Sequence, residues 1–247
     1  MKYITSLLST VFIVFSFTNV LADQSALDIL RKSDQVESAA KDQSYVMKMV
    51  LVDKRGNKKE REAKLLQKGD EKRILKFLAP GDVKGVGILT LPNDVIYFFM
   101  PAFNKVRRIA SHVKNQSFMG TDLTYDDFSS IKLEDDYNAV SIKKEGKHFI
   151  LELKPKNDSD KEYSKLVVYV NTENYYNEKT EYFDKKGTLW KVMERNEIKK
   201  VGEYWVAHKF SMKDIKKNHS TLMELKNIEF DKGLGDELFT QRYLKRN

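Results

Sequence analysis

The chain has 247 residues, 41% hydrophobic and 11% aromatic, which is enough to bury a sizeable core and excludes wholesale disorder. It has no cysteine, so disulfides, thiolate metal sites, iron–sulfur clusters and cysteine nucleophiles are excluded together, and four histidines leave little material for a metal centre. Its 44 Lys and Arg against 36 Asp and Glu give a formal net charge of +8, but the charges are interspersed rather than gathered as in nucleic-acid binders; a lysine-rich solvated surface, or attraction to anionic lipid headgroups, accounts for them.

The first element is a leader. Met1-Lys2 opens an uncharged run over residues 3–22 that contains Val11-Phe12-Ile13-Val14-Phe15 and ends in Val20-Leu21-Ala22. A basic start, a short apolar centre and small residues before a cut site form the pattern of a secretory signal peptide, here 1–22. The competing pattern, a retained anchor of about 20 residues, is diluted by Ser6, Ser9, Thr10, Ser16, Thr18 and Asn19. No cysteine follows that would accept a lipid. The expected mature chain is therefore one soluble domain over 23–247, periplasmic and out of reach of nucleic acid.

Residues 23–40 read as a helix, with Ala26, Leu27, Ile29, Leu30 and Val36 as a modest apolar stripe and Asp23 or Ser25 as its cap. From Ser44 the period changes from 3.6 to 2, and Tyr45, Met47, Met49 and Leu51 share one face of a strand. Turns at Asp53-Lys54-Arg55-Gly56-Asn57 and Lys68-Gly69-Asp70 lead into the alternating runs Lys59, Arg61, Ala63, Leu65 and Arg73, Leu75, Phe77. Strands follow over 85–91, 95–100 and 105–110. Beyond a long excursion they resume over 149–154, 165–170, 175–183, 189–198, 204–213 and 221–230, and a short helical segment closes the chain over 236–243. About eleven strands with few helices mean a mainly β chain with an antiparallel sheet, and a sheet of that width curls into a barrel or half-barrel.

Motifs of catalysis are missing: there is no Gly-x-Ser-x-Gly elbow, His-Glu-x-x-His, phosphate-binding glycine loop or dinucleotide fingerprint. His112, His148, His208 and His219 are scattered, as surface or strand-packing residues are. Asp122, Asp126 and Asp127 are candidates for calcium ligands or paired carboxylates, but they lack the alternation of a calcium loop, and turn or capping roles suit them better. The expectation is a protein that is not an enzyme and that takes no cofactor and no metal.

Three segments are distinctive: Ile74-Leu75-Lys76-Phe77-Leu78-Ala79-Pro80-Gly81-Asp82-Val83-Lys84-Gly85, then Tyr97-Phe98-Phe99-Met100-Pro101-Ala102-Phe103-Asn104-Lys105-Val106-Arg107-Arg108-Ile109, then Ser117-Phe118-Met119-Gly120-Thr121-Asp122-Leu123-Thr124-Tyr125-Asp126-Asp127-Phe128. Together they resemble the LolA-like outer-membrane lipoprotein-sorting family, in its branch of uncharacterised periplasmic members. The resemblance extends to Asp236-Glu237-Leu238-Phe239-Thr240-Gln241-Arg242-Tyr243-Leu244. It implies an open, strongly bent antiparallel half-barrel of LolA/LolB type, with a few covering helices around an apolar cavity that accepts acyl chains. Met47, Met49, Leu51, Leu75, Phe77, Tyr97 and Phe99 are the expected lining, with ordinary dry core as the other role open to each.

The excursion over 111–128 is the expected lid, with Phe118, Met119, Leu123, Tyr125 and Phe128 as its apolar underside and Gly120 as a hinge. Arg107 and Arg108 precede it. As strand neighbours they face opposite ways, so at most one faces the cavity, there to meet a cargo headgroup, bond the lid carbonyls or pair with a lid aspartate. The implied function is a non-catalytic, monomeric carrier of lipid or lipoprotein acyl chains. It delivers them towards the outer membrane or a membrane transporter, with an inner-membrane transporter and an outer-membrane acceptor as partners. The alternative is an envelope structural or adaptor protein that binds a transporter or cell-wall component and whose interior is solid core. A hydrolase built on the three aspartates is a third reading.

Overall fold

The computed structural model describes residues 18–246 apart from 71, 94, 129–131 and 157–160, with side chains from Ala26 onwards, so most of the leader expected over 1–22 lies outside the described residues. Helix α1 (Thr18–Glu37) is followed by a meander of six strands: β1 (Asp42–Val52), β2 (Lys58–Lys68), β3 (Lys72–Ala79), β4 (Gly87–Leu91), β5 (Val95–Met100) and β6 (Lys105–Arg108). After a connection that contains the short helix α2 (Leu133–Asp136), a second meander runs through β7 (Tyr137–Glu145), β8 (His148–Pro155), β9 (Lys165–Asn171), β10 (Asn177–Phe183), β11 (Leu189–Val201), β12 (Tyr204–Asp214) and β13 (His219–Phe230). Helix α3 (Gln241–Lys245) ends the chain.

Strand β13 pairs antiparallel with β1 and welds the meanders into one thirteen-stranded sheet, ordered β6-β5-β4-β3-β2-β1-β13-β12-β11-β10-β9-β8-β7. Thirteen strands replace the expected eleven or so. Periodicity does not reveal β7, because a register shift between Ala139 and Ser141 breaks its alternation and most of the strand is exposed at the sheet edge. The opposite edge, β6, is four residues long and carries Lys105, Arg107 and Arg108, a short charged rim that discourages pairing with another chain. Among the described residues β6 and β7 do not pair, so the sheet is open.

This topology dictates where the long connection goes. The first meander ends at one edge and the second begins at the other, so residues 109–136 must cross from edge to edge. The described residues among them pack on the inner face, and α2 lies against α1, whose stripe Ala26, Ile29 and Leu30 is buried and which also contacts β7, β8 and β12. The inner face holds the main core, to which nearly every strand contributes. Each Leu, Met or Phe buried there contributes about 1.5–3 kcal/mol.

The outer face of β2–β5 has its own small core. Leu66, Ile74, Leu89 and Phe99 are covered by Phe239 and Leu244 of the C-terminal segment. That segment is turned onto the outer face by the buried Asp42, whose carboxylate accepts the N–H groups of Lys232, Gly233 and Leu234 at 2.9, 2.9 and 3.1 Å. Gly87 lets it approach: a Cβ there would stand 2.8 Å from Leu244 Cδ1 and 3.0 Å from the Leu75 carbonyl oxygen. Among the described residues no helix is long and apolar enough to cross a membrane.

Candidate functional site

Residues 109–128 close one end of the hollow. Two single-turn 3-10 helices, Ser111–Val113 and Asp126–Phe128, flank a hairpin in which Ser117 bridges Thr124. Its tip turns at Met119 and Gly120, which have φ of 51° and 76°; glycine takes the second without a side-chain penalty. Within the turn the Phe118 N–H donates to the Leu123 carbonyl at 2.8 Å, which drives the Phe118 ring inward. That ring is fully buried, stacks on Phe77 with centroids 5.7 Å apart, and meets Phe98, Tyr125 and Phe128 edge-on at 6.4, 5.4 and 5.0 Å.

The second anchor is Asp122, 5% exposed, on the central strands. Its carboxylate accepts the Thr221 hydroxyl at 2.7 Å and faces His219 Nδ1 at 2.8 Å, and its carbonyl accepts Lys191 Nζ at 2.8 Å. Arg61 of β2 donates to the Met119 carbonyl while lying over the Phe77 ring at 5.5 Å. Asp127 caps the last turn by accepting the Thr124 N–H at 2.6 Å, and Asp126 takes Lys161 at 3.0 Å. Turn and tie roles thus occupy all three lid aspartates, and among the described residues no group of three His, Asp or Glu is placed to hold a metal ion. Asp122→Ala leaves the buried Thr221 hydroxyl and His219 without their acceptor. It is expected to release the hairpin at a cost of about 1–3 kcal/mol, seen as faster tryptic cleavage within 109–128 with little change in the sheet's hydrogen exchange.

Behind the lid, between α1 and the inner face, lies a cavity of about 270 Å³. Tyr45, Met47, Leu65, Phe210, Met223 and Leu225 form its apolar wall, and Leu123 and Phe128 of the lid border it. Gln67, the carboxylates of Asp34, Glu37, Asp126, Asp127 and Asp136 and the cations of Arg73, Lys161 and Arg195 also border it, so the space is amphipathic. Burial pushes the Glu37 carboxyl above its ordinary range, against the pull of Arg195. Burial likewise pushes the Asp34 carboxyl up to about 7, outweighing the two backbone N–H groups that it accepts.

The expected lining residues divide into three groups. Met47 borders the cavity. Met49, Leu51, Leu75 and Phe77 are on the inner face but inside close-packed core. Tyr97 and Phe99 are on the outer face: in register Tyr97 opposes Leu89 and Phe99 opposes Gly87, whereas Phe98 opposes Ile88 on the inner face. Of the residues expected on the underside of the lid, Phe118 is fully buried in the core, and Met119 and Tyr125 pack on it at partial burial.

Arg107 and Arg108 do not hold the lid. Both are exposed on the edge strand, Arg107 opposite Phe98 and Arg108 opposite Tyr97, and the lid contact belongs to Arg61. Arg107 instead joins Lys105, Arg242, Lys245 and Arg246 in an open groove of about 1100 Å³, next to the exposed Phe103. Of the residues that sequence reasoning missed (Arg61, Arg73, Arg195), Arg73 carries a signal, a cation on the same strand face as the apolar Leu75 and Phe77.

A family model described as an uncharacterised protein matches residues 69–246, more than half of the chain. No protein of curated function matches the chain. Among solved structures, the chain is similar to a domain from Vibrio parahaemolyticus named for outer-membrane lipoprotein sorting, with 28% identity, 91% of this chain and 100% of that one covered, and a TM-score of 0.83. It is also similar to a DUF1329 family protein from Desulfovibrio piger, at 25% identity over 90% and 99% of the two chains with a TM-score of 0.85. A LolA superfamily protein from Nitrosomonas europaea shares the fold at 19% identity, over 88% and 98% of the two chains, with a TM-score of 0.73.

Proposed function

The chain belongs to the family, described as uncharacterised, whose model matches residues 69–246, and its fold is LolA-like; from that premise we propose that it is a non-catalytic periplasmic carrier, exported by the leader over 1–22, which shields acyl chains of a lipid or lipoprotein and delivers them towards the outer membrane or a membrane transporter. The observation that carries this reading is the lidded cavity. A space of about 270 Å³ with a methionine- and aromatic-rich wall persists inside a sheet whose remaining inner face is close-packed. Methionine and aromatic walls adapt to irregular apolar guests. Each methylene buried there stabilises the complex by about 0.8 kcal/mol, so loading and release are controlled by the lid, which Phe118 and Asp122 pin at two points.

The cationic groove at Lys105, Arg107, Arg242, Lys245 and Arg246, with Phe103 66% exposed beside it, supports delivery at an anionic membrane surface. The test is native mass spectrometry of protein isolated from the periplasm without detergent, together with uptake of a fluorescent acyl probe. Copurified lipid and saturable uptake are expected; protein that is consistently empty and takes up no probe overturns the carrier. The close packing around Phe77 and Phe118 favours the second reading, an envelope adaptor without lipid cargo, and an empty protein leaves that one standing.

A further inference from the structure

Of the three cations that border the cavity, Lys161 is paired with Asp126 at 3.0 Å and Asp136 at 2.8 Å, whereas Arg73 and Arg195 have no carboxylate at close range. Arg195 projects inward from β11, in register with Phe210. Its Nη1 is buried and has no hydrogen-bond partner among the described residues, and Glu37 is paired with it only at 3.9 Å, the outer limit of an ion pair. Arg73 also borders the cavity and spends Nε and Nη2 on a neutral acceptor, the Oε1 of Gln67, at 3.1 and 2.9 Å. Gln67 is itself held by the Gly69 carbonyl at 3.0 Å, so Arg73 is fixed in place without a carboxylate of its own. Glu37 is the acid within electrostatic reach of both guanidinium groups, and burial drives it towards its neutral form. A buried guanidinium with an unused donor is a strong binding site for a carboxylate or phosphate, which accepts its N–H groups.

We infer that the cavity binds a single-chain amphiphile with an anionic head, the head taken by Arg195 Nη1 with Arg73 as second cation and the chain laid along Met47, Met223 and Leu225. This deepens the carrier reading and rests on it. The volume points to one chain: about 270 Å³ is roughly nine water volumes at about 30 Å³ each, too little for a diacyl or triacyl anchor while the lid is closed. A bound anionic head also accounts for the two guanidinium groups at inward strand positions, where an unpaired charge is costly to bury.

The experiment compares binding of dodecanoate, dodecyl phosphate and dodecanol to the mature protein by calorimetry, in the wild type, Arg195→Gln and Arg195→Lys. At least one anionic probe is expected to bind about tenfold or more tighter than dodecanol, as a charge-assisted bond requires. Which of the two anions wins identifies the headgroup as carboxylate or phosphate. Arg195→Gln should bring all three probes to the dodecanol affinity, and Arg195→Lys should keep part of the preference. Equal affinity of the wild type for all three overturns the anion site and leaves the carrier standing. No binding of any chain overturns the carrier reading itself. Should Arg195→Gln fail to fold, the wild-type comparison decides alone.

Discussion

Phe118→Ala is expected to destabilise the protein by about 3–5 kcal/mol, the range for removing a buried phenylalanine side chain from a close-packed core. The ring is fully buried and contacts four others, Phe77, Phe98, Tyr125 and Phe128, with centroids 5.0–6.4 Å away. Aromatic pairs of this kind add about 0.5–1.5 kcal/mol each beyond their area. Alanine keeps the backbone of the turn, because the bonds from the Phe118 N–H to Leu123 and from the Thr121 N–H to the Phe118 carbonyl involve no side chain of residue 118. The hairpin therefore remains locally formed while its anchor is gone. Two measurements separate plug from mere core: the urea midpoint should fall, and uptake of a fluorescent acyl probe should accelerate while retention weakens. A loss below about 1 kcal/mol with wild-type uptake would mean that the ring holds nothing shut.

A substitution that separates carrier from adaptor belongs at Met223 and not at Phe77. Phe77 faces inward, but it is 1% exposed, stacked under Phe118, and does not border the cavity. An arginine there would be buried without a partner in either case, so it separates nothing. Met223, which borders the cavity and is 6% exposed, is the informative position.

What the sequence made legible follows from period two. Strands with one polar face, such as the one carrying Met47, Met49 and Leu51, announce both their existence and their inward side. Residues 95–100, Val-Ile-Tyr-Phe-Phe-Met, are apolar on both faces, because the main core lies on one side and α3 with Phe239 on the other, so alternation could not say that Phe98 rather than Tyr97 or Phe99 faces inward. The arginine holding the lid was hidden for a different reason. Arg107 and Arg108 are next to the lid in the chain, but curling of the sheet brings Arg61, 58 positions from Met119, onto it. Sequence adjacency is a poor guide wherever a loop crosses from one sheet edge to the other.

A pH effect is expected from Asp34, 4% exposed on α1. Its carboxylate accepts the N–H groups of Leu133 and Glu134 at 3.1 and 2.9 Å and so ties α1 to the start of α2, where the lid connection ends. Burial, helped by the nearby Glu37 and Glu134, raises its pKa from 3.8 to about 7 in the fold. Between those values the native protein holds a proton that the unfolded chain has released. Its contribution is therefore fully present below about pH 4 and is lost as pH rises through 7. At 1.36 kcal/mol per unit the loss is about 4 kcal/mol.

Glu37 and Asp126, also raised by burial, add slope of the same sign, so the difference between wild type and Asp34→Asn isolates the residue. The asparagine cannot ionise and still offers one oxygen to the two N–H groups. Urea midpoints measured from pH 5 to 8 should fall for the wild type and fall much less for Asp34→Asn, with the curves crossing near neutrality, where the charged carboxylate becomes worse than the amide. Parallel curves would remove Asp34 as the source. The N–H groups of Leu133 and Glu134 favour the charged carboxylate, so the loss of stability comes from burying the charge and not from weakening the tie between α1 and α2.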